Sequence, residues 1–176
     1  MEKLNRFPQE AEVFTPLIGK GQFASVYAIT DNHVAKVYNW PYLGDNLRDM
    51  QEEYENTREA WRAGISVPKP EGVFEVDIRW WKTAFGLFFP KRKAFVMEWI
   101  HGVRADDKGL DKGHGKRARE LFHKEVEKCE SLGFFSGDFR LNNAIYVPYE
   151  KKIYLIDLAD CARVSPAEKK SLLGNL

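Results

Sequence analysis

The chain has 176 residues, enough for one compact domain and too few for two large ones. With 44% hydrophobic and 30% charged residues, it has the composition of a chain that builds a core, not of a disordered one. A formal net charge of +1 sets up no overall attraction to nucleic acid or to an acidic membrane, so neither partner follows from bulk charge. Cys129 and Cys161 belong to no CxxC pair, which leaves neither a zinc spacing nor a disulfide framework. Met1 to Pro8 carries Glu2, Lys3 and Arg6 without an apolar run and is not expected to be a secretory signal. No apolar run approaches the roughly 18 residues of a membrane span. The expected location is cytoplasmic.

Phe14 to Lys36 alternates short β-type runs with turn residues, and Asp31-Asn32 suits a tight hairpin turn. Tyr38 to Asp45, with Pro41 and Gly44, reads as a loop. From Asn46 to Ala63 a charged segment carries Leu47, Met50, Tyr54 and Trp61 at roughly helical spacing; Gly64 closes it, and Pro68 and Pro70 prevent its continuation. Val73 to Trp81 and Ala94 to Ile100 read as strands separated by an aromatic-rich connection. After a loop around Gly109 and Gly113, a second helix fits Lys116 to Leu132. Ala118, Leu121, Phe122, Val126, Cys129 and Leu132 form its apolar stripe, and Gly133 stands at the C-cap. Cys129 therefore reads as a buried small hydrophobe. Ala144 to Val147 and Ile153 to Ile156 make a short hairpin through Pro148 to Lys152, and a last short helix is expected from Ser165. The plan is α+β, with a β-rich first half and no repeats.

Four features carry chemistry. In Gly19-Lys20-Gly21-Gln22-Phe23-Ala24-Ser25-Val26, two glycines let backbone approach phosphates, and Val26 would pack over a purine. The motif lies between strands instead of opening a helix, which excludes the dinucleotide-binding arrangement of strand, turn and helix. By itself such a pair of glycines is also an ordinary turn. Lys36, inside the apolar run His33-Val34-Ala35-Lys36-Val37-Tyr38, either snorkels from an edge or reaches back to phosphate oxygens one hairpin away. Such a lysine needs a carboxylate, and Glu53 on the first helix is the candidate, with Glu52, Glu55 and Glu59 competing. The most specific group is Ser136-Gly137-Asp138-Phe139-Arg140-Leu141-Asn142-Asn143 followed, after a strand, by Tyr154-Leu155-Ile156-Asp157. Transfer of a phosphoryl group from ATP needs one carboxylate to orient the acceptor hydroxyl, plus an Asn and a second Asp to hold Mg²⁺. Plain turns would account for the individual pairs but not for the order and spacing of the whole set.

Taken together, Leu17 to Asp160 resembles the protein-kinase-like superfamily. Specifically, it resembles small atypical members: the RIO kinases and the kinase of the tRNA-threonylcarbamoyladenosine complex. Glu53 to Pro70 is similar to the RIO pattern ending Ala-Gly-Val-Pro-x-Pro, and Val96-Met97-Glu98-Trp99-Ile100-His101-Gly102 resembles the hinge strand of both groups. The resemblance implies a two-lobed fold with a five-stranded antiparallel N-lobe and one helix, spanning about 12–100 with the hinge, and a truncated helical C-lobe over 101–176. It also implies that adenine bonds backbone around Glu98 and Ile100, that Gly19 and Gly21 cover the phosphates, and that Lys36 with Glu53 positions them. Asp138 would act on the acceptor, Asn143 and Asp157 would bind metal, and Arg140 would supply positive charge near the γ-phosphate.

Three departures bear on function. Ser136 replaces the histidine that usually opens the catalytic loop, Ala24 the third glycine, and Leu158-Ala159 the Phe-Gly after the metal-binding Asp. The nineteen residues after Asp157 leave no room for an ordinary activation segment or for the lobe that holds peptides, so substrate choice is not inherited from ordinary protein kinases. The expected activity is transfer of the ATP γ-phosphate to a hydroxyl, on a protein Ser/Thr or a small molecule, or an ATPase switch like that of the RIO kinases. A pseudokinase acting as a nucleotide-binding or partner module is the rival. A small-molecule kinase resembling aminoglycoside phosphotransferases is a third reading. A protein partner replacing the missing C-lobe is left open as one arrangement.

Two further stretches stay open. Trp80, Trp81, Phe85, Leu87, Phe88 and Phe89 interleave with Lys82, Lys91, Arg92 and Lys93. They form either a hairpin packed on the first lobe or a protrusion for a membrane, RNA or a protein. Arg104 to Arg119 mixes basic and acidic residues and reads as a solvated loop and helix start, with a substrate- or RNA-facing role as the alternative.

Overall fold

A computed structural model of the chain describes residues 17–21, 24–38, 45–76 and 92–164. The first five strands are β1 (Leu17–Lys20), β2 (Ala24–Thr30), β3 (His33–Tyr38), β4 (Pro70–Val76) and β5 (Arg92–Glu98), with helix α1 (Asp45–Arg62) between β3 and β4. They form one antiparallel sheet in the order β1-β2-β3-β5-β4. Asp31-Asn32 makes the two-residue turn between β2 and β3 that the sequence points to. Alternation along β3 assigns the sheet's two faces. Val34 and Tyr38 join Ala24, Met50, Phe95 and Met97 in one buried cluster, and Ala35 and Val37 join Ala94 and Val96 in another. Lys36 shares the face of Val34 and Tyr38, the one packed on α1.

Helix α1 turns an apolar and polar stripe inward. Met50, Glu53, Thr57 and Ala60 are buried, at spacings of three or four residues along the helix. Gly64 ends the helix with φ +80, a conformation in which a Cβ would be strained. The next residues, Ile65 and Val67, bury in the second half of the molecule, among Ala118, Phe122, Phe134, Tyr146 and Leu155. Two hydrogen bonds fix this loop: Ser66 N–H to Glu125 Oε1 at 2.6 Å, and Leu155 N–H to the Ser66 carbonyl at 2.8 Å.

The second half holds β6 (Val103–Arg104), helix α2 (Lys112–Ser131), β7 (Phe134–Ser136), a 3-10 turn at Leu141–Asn143, β8 (Ala144–Val147), β9 (Lys152–Leu155) and β10 (Cys161–Arg163). The strands form two small antiparallel sheets, β6-β8-β9 and β10-β7. Gly102 leads into β6 where a Cβ would sit 2.5 Å from the Tyr146 carbonyl oxygen, so only glycine lets the chain pass this close to β8.

Several sequence expectations shift. Tyr38 is the last residue of β3 and not the start of a loop. Helix α2 begins at Lys112 and not Lys116, because the Asp111 carboxylate accepts from His114 N–H at 2.8 Å and caps a turn that Gly113 and Gly115 would otherwise weaken. Strand β4 begins at Pro70 and is described as far as Val76, and β5 covers Arg92–Glu98 in place of Ala94 to Ile100. The pairing beyond Glu98 loosens into a single bond from Trp99 N–H to the Asn32 carbonyl, 2.7 Å. Trp61 and Leu132, both expected on apolar faces, are 44% and 42% exposed at the ends of their helices. Cys129 is buried as expected, and desolvation pushes its thiol up to about 12 and that of Cys161 up to about 11, so neither is a ready thiolate. The expected helix from Ser165 and the aromatic stretch from Trp80 to Lys91 lie outside the described residues. Among the described residues, no helix is long and apolar enough to cross a membrane.

Candidate active site

One row across the first sheet aligns three of the residues singled out from sequence. Gly19 pairs with Val26, Val26 with Lys36, and Lys36 with Phe95. Residues directly opposite in antiparallel strands share a face, so this row sets Gly19, Val26 and Lys36 side by side. Gly21 lies just past β1, where its N–H donates to the Ala24 carbonyl at 2.8 Å.

Lys36 Nζ then gathers two distant carboxylates. It donates to both Glu53 oxygens at 2.8 Å and to Asp157 Oδ1 at 2.8 Å. Of the four glutamates on this part of α1, Glu53 is the one that turns inward; its residue surface is 1% exposed. Glu59 instead meets Arg163 at 3.0 Å. The Tyr38 hydroxyl donates to Glu53 Oε2, so the buried carboxylate has two partners. Burial works to lower the Lys36 pKa, but the Glu53 and Asp157 carboxylates outweigh it and the pKa is raised. Lys36 is thus held as a cation.

Asp157 follows β9 with φ +63, a left-handed conformation that side chains seldom adopt and that clusters at functional sites. Its side chain is 46% exposed, and Lys36 engages Oδ1 alone.

The second group is built locally. The 3-10 turn carries Asn143 back over the loop, so that its Nδ2 donates to Asp138 Oδ2 at 2.7 Å and to the Asp138 carbonyl at 3.2 Å. Arg140 Nε pairs with Asp138 Oδ1 at 3.0 Å, and Asp138 N–H donates to Ser136 Oγ at 3.0 Å. Ser136, noted in the sequence as a departure, therefore braces the loop at Asp138. The two groups adjoin through β8 and β9: Ile156 N–H donates to the Asn143 carbonyl at 2.9 Å, one residue before Asp157.

Asn143 and Asp157 offer oxygen donors of the hard type that Mg²⁺ prefers, and such an ion keeps several waters and needs only one or two protein ligands. With Nδ2 committed to Asp138, the Asn143 side chain presents its oxygen as the remaining group. Among the described residues, no group of three or more His, Cys, Asp or Glu is placed to hold a metal on its own. The residues present fit an ion shared with a phosphate better than a caged one.

Glu98 ends β5 and Ile100 lies two residues beyond it. Glu98 is fastened to Lys69 through its N–H to the Lys69 carbonyl at 2.9 Å and its carboxylate to Lys69 N–H at 3.1 Å. Ile100 is 8% exposed and its carbonyl accepts from Gly102 N–H at 3.1 Å. Sequence reasoning missed Tyr38 and Asn56. The polar end of a strand residue, two positions after a lysine, was the available signal for Tyr38. For Asn56 it was the spacing of three from Glu53.

No family model and no characterised protein matches the chain by sequence. Solved structures do match by shape. WbdD in co-crystals with the kinase inhibitor LY294002 aligns with TM-score 0.55 and 17% identity, over 91% of this chain and 35% of WbdD. A second structure, of WbdD described as a bifunctional kinase-methyltransferase, aligns with TM-score 0.53 and 18% identity, over 86% of this chain and 32% of WbdD. An Stt7 homolog from Micromonas algae soaked with ATP gives TM-score 0.53 and 16% identity, over 86% of this chain and 50% of that one. The chain spans about a third of WbdD and half of the Stt7 homolog. At these identities the likeness is one of fold. The chain has an α+β, protein-kinase-like fold.

Proposed function

We propose that the chain binds ATP with Mg²⁺ and transfers the γ-phosphate to a hydroxyl acceptor. The observation that carries this reading is the contact of one raised-pKa lysine, Lys36, with both Glu53 and Asp157. A cation fixed between a helix carboxylate and an exposed, strained aspartate is suited to phosphate oxygens. In this reading Gly19, Gly21 and Val26 cover the nucleotide, and backbone at Glu98 and Ile100 bonds the adenine. Lys36 reaches the α/β-phosphates while Glu53 holds it. Asn143 and Asp157 hold Mg²⁺, which when bound neutralises charge on the β- and γ-phosphate oxygens. Asp138 orients the acceptor and takes its proton as the acceptor oxygen bonds to the γ-phosphorus and the bond to the departing ADP breaks. Arg140, 67% exposed, supplies positive charge beside that transfer.

The arrangement is two-lobed in this reading, with residues of about 12–100 forming the nucleotide-covering lobe and hinge, and 101–176 a minimal second lobe in a single domain. A protein partner supplies the acceptor surface in this reading. The acceptor class, a protein Ser/Thr or a small molecule, follows that partner.

One observation favours a second reading, a nucleotide-binding module without turnover. Both Asp138 oxygens are engaged, by Arg140 and by Asn143. The experiment that separates the readings follows the γ-phosphate of labelled ATP with Mg²⁺ in wild type, Asp138→Ala and Asp157→Ala. Phosphotransfer requires a wild-type signal that both variants lower by about 10²-fold or more. Wild type no faster than the variants, with ATP still bound, would favour the module. Absence of ATP binding would remove both.

A further inference from the structure

Glu53, Asn56 and Glu59 recur at every third position of α1, which sets them along one face of the helix. Each meets the segment that begins at Asp157. Glu53 reaches Asp157 itself through Lys36. Asn56 Nδ2 donates to the Leu158 carbonyl at 3.0 Å and to the Ala159 carbonyl at 3.5 Å. Glu59 accepts from Arg163 Nη1 at 3.0 Å.

The middle contact falls where it matters most. The Asp157 side chain is 46% exposed, so packing does little to fix its direction. Besides the one contact of Oδ1 with Lys36, its aim depends on its backbone, which holds the left-handed φ of +63. For a residue other than glycine such a conformation costs about 1–3 kcal/mol and persists where the surroundings over-determine it. The Leu158 carbonyl accepts from two donors, Asn56 Nδ2 and Cys161 N–H at 3.1 Å, closing the turn directly after Asp157. Asn56 is half-buried, and its amide is the side-chain group of α1 that grips this turn.

We infer that Asn56 is a positioning residue for Asp157. By binding the peptide carbonyls just beyond it, Asn56 fixes the direction in which the Asp157 carboxylate is presented. Helix α1 then sets both halves of the site from one face: the lysine through Glu53, and the metal-side carboxylate through Asn56. The segment after Asp157 is ordered from within, by α1 on one side and by the pairing of β10 with β7 on the other. The inference rests on the phosphotransfer reading and adds to it which residue governs the metal side.

The test is the Mg²⁺ dependence of binding of a fluorescent ATP analogue to the full chain, with hydrogen exchange at the Cys161 amide measured on the nucleotide-free protein. Asn56→Ala removes the donor, and the isosteric Asn56→Asp replaces it with a carboxylate oxygen facing the carbonyls. Both should raise the Mg²⁺ concentration for half-saturation about tenfold or more, as loss of an outer-shell partner does. Affinity for the analogue without Mg²⁺ should stay the same, and exchange at Cys161 should quicken while α2 keeps its protection. Glu59→Gln removes only an exposed pair, worth little by itself, and should leave the Mg²⁺ midpoint within about twofold of wild type. A wild type that binds normally, with an Asn56→Asp variant of unchanged Mg²⁺ midpoint, would overturn this inference alone. An equal loss of binding with and without Mg²⁺ would also overturn it, since that is the mark of a merely structural residue. A wild type that does not bind the analogue with Mg²⁺ would bring down the phosphotransfer reading as well.

Discussion

The Lys36 cluster and the Asp138 cluster use the same kinds of side chain, yet they are built in opposite ways. Contacts of the first join residues 17 and 121 positions apart, and at its centre the Lys36 and Glu53 side chains are 13% and 2% exposed, with only Asp157, at 46%, open to solvent. Contacts of the second join Asn143 to Asp138 across five positions, with the Asp138 and Arg140 side chains 34% and 67% exposed. A buried, long-range cluster forms only when the fold is complete, and its charges depend on one another because water does not replace a lost partner. A local, wetter cluster follows from the loop itself and rearranges at little cost. The contrast fits a rigid nucleotide side facing an acceptor side that must exchange partners.

Removing a partner from each cluster sharpens that contrast. Lys36→Ala leaves the Glu53 carboxylate buried without its cation, and should cost about 3–5 kcal/mol of stability in denaturant unfolding. Its pH dependence carries a definite sign. The raised Lys36 pKa stabilises the fold fully below the unfolded value of 10.5, and that stability is lost as pH rises through the folded-state value. Wild type should therefore lose stability above about pH 10.5 more steeply than Lys36→Ala; parallel curves would mean that the cluster is not coupled to folding. Tyr38→Phe is a smaller change. It leaves one Glu53 oxygen without its hydroxyl donor and should cost about 1–3 kcal/mol, read as a lower denaturant midpoint with unchanged slope. An unchanged midpoint would show that Lys36 alone satisfies Glu53.

The same contrast decides what was legible in the sequence. Asp138 and Asn143 could be read from spacing, because they lie within one loop and their contact is local, while the role of Arg140 came from the resemblance. The tight turn at Asp31-Asn32 and the strands around it were legible from alternation and turn chemistry, whereas the count of five antiparallel strands came only from the resemblance. Glu53 could be chosen over Glu52, Glu55 and Glu59 only through resemblance, since helix periodicity alone does not say which face meets Lys36. Tyr38 was hidden by Pro41 and Gly44 nearby, which made the whole stretch read as loop. Strands β7 and β10 are three residues each and carry no alternation long enough to detect. The first turn of α2 was obscured by Gly113 and Gly115, whose poor helix propensity is overridden by the Asp111 cap.

The central claim is that nucleotide and metal depend on Lys36 and on the Asp157 carboxylate, with Asn143 as the second metal ligand, and that the Asp138 carboxylate serves the acceptor. Calorimetric ATP binding with and without Mg²⁺, in wild type, Asp157→Ala and Asp138→Ala, tests it most directly. The account predicts that Mg²⁺ strengthens ATP binding in wild type, that Asp157→Ala loses this gain, and that Asp138→Ala retains it. Failure of wild type to bind ATP, or an Asp157→Ala variant that keeps the Mg²⁺-dependent gain, would contradict it.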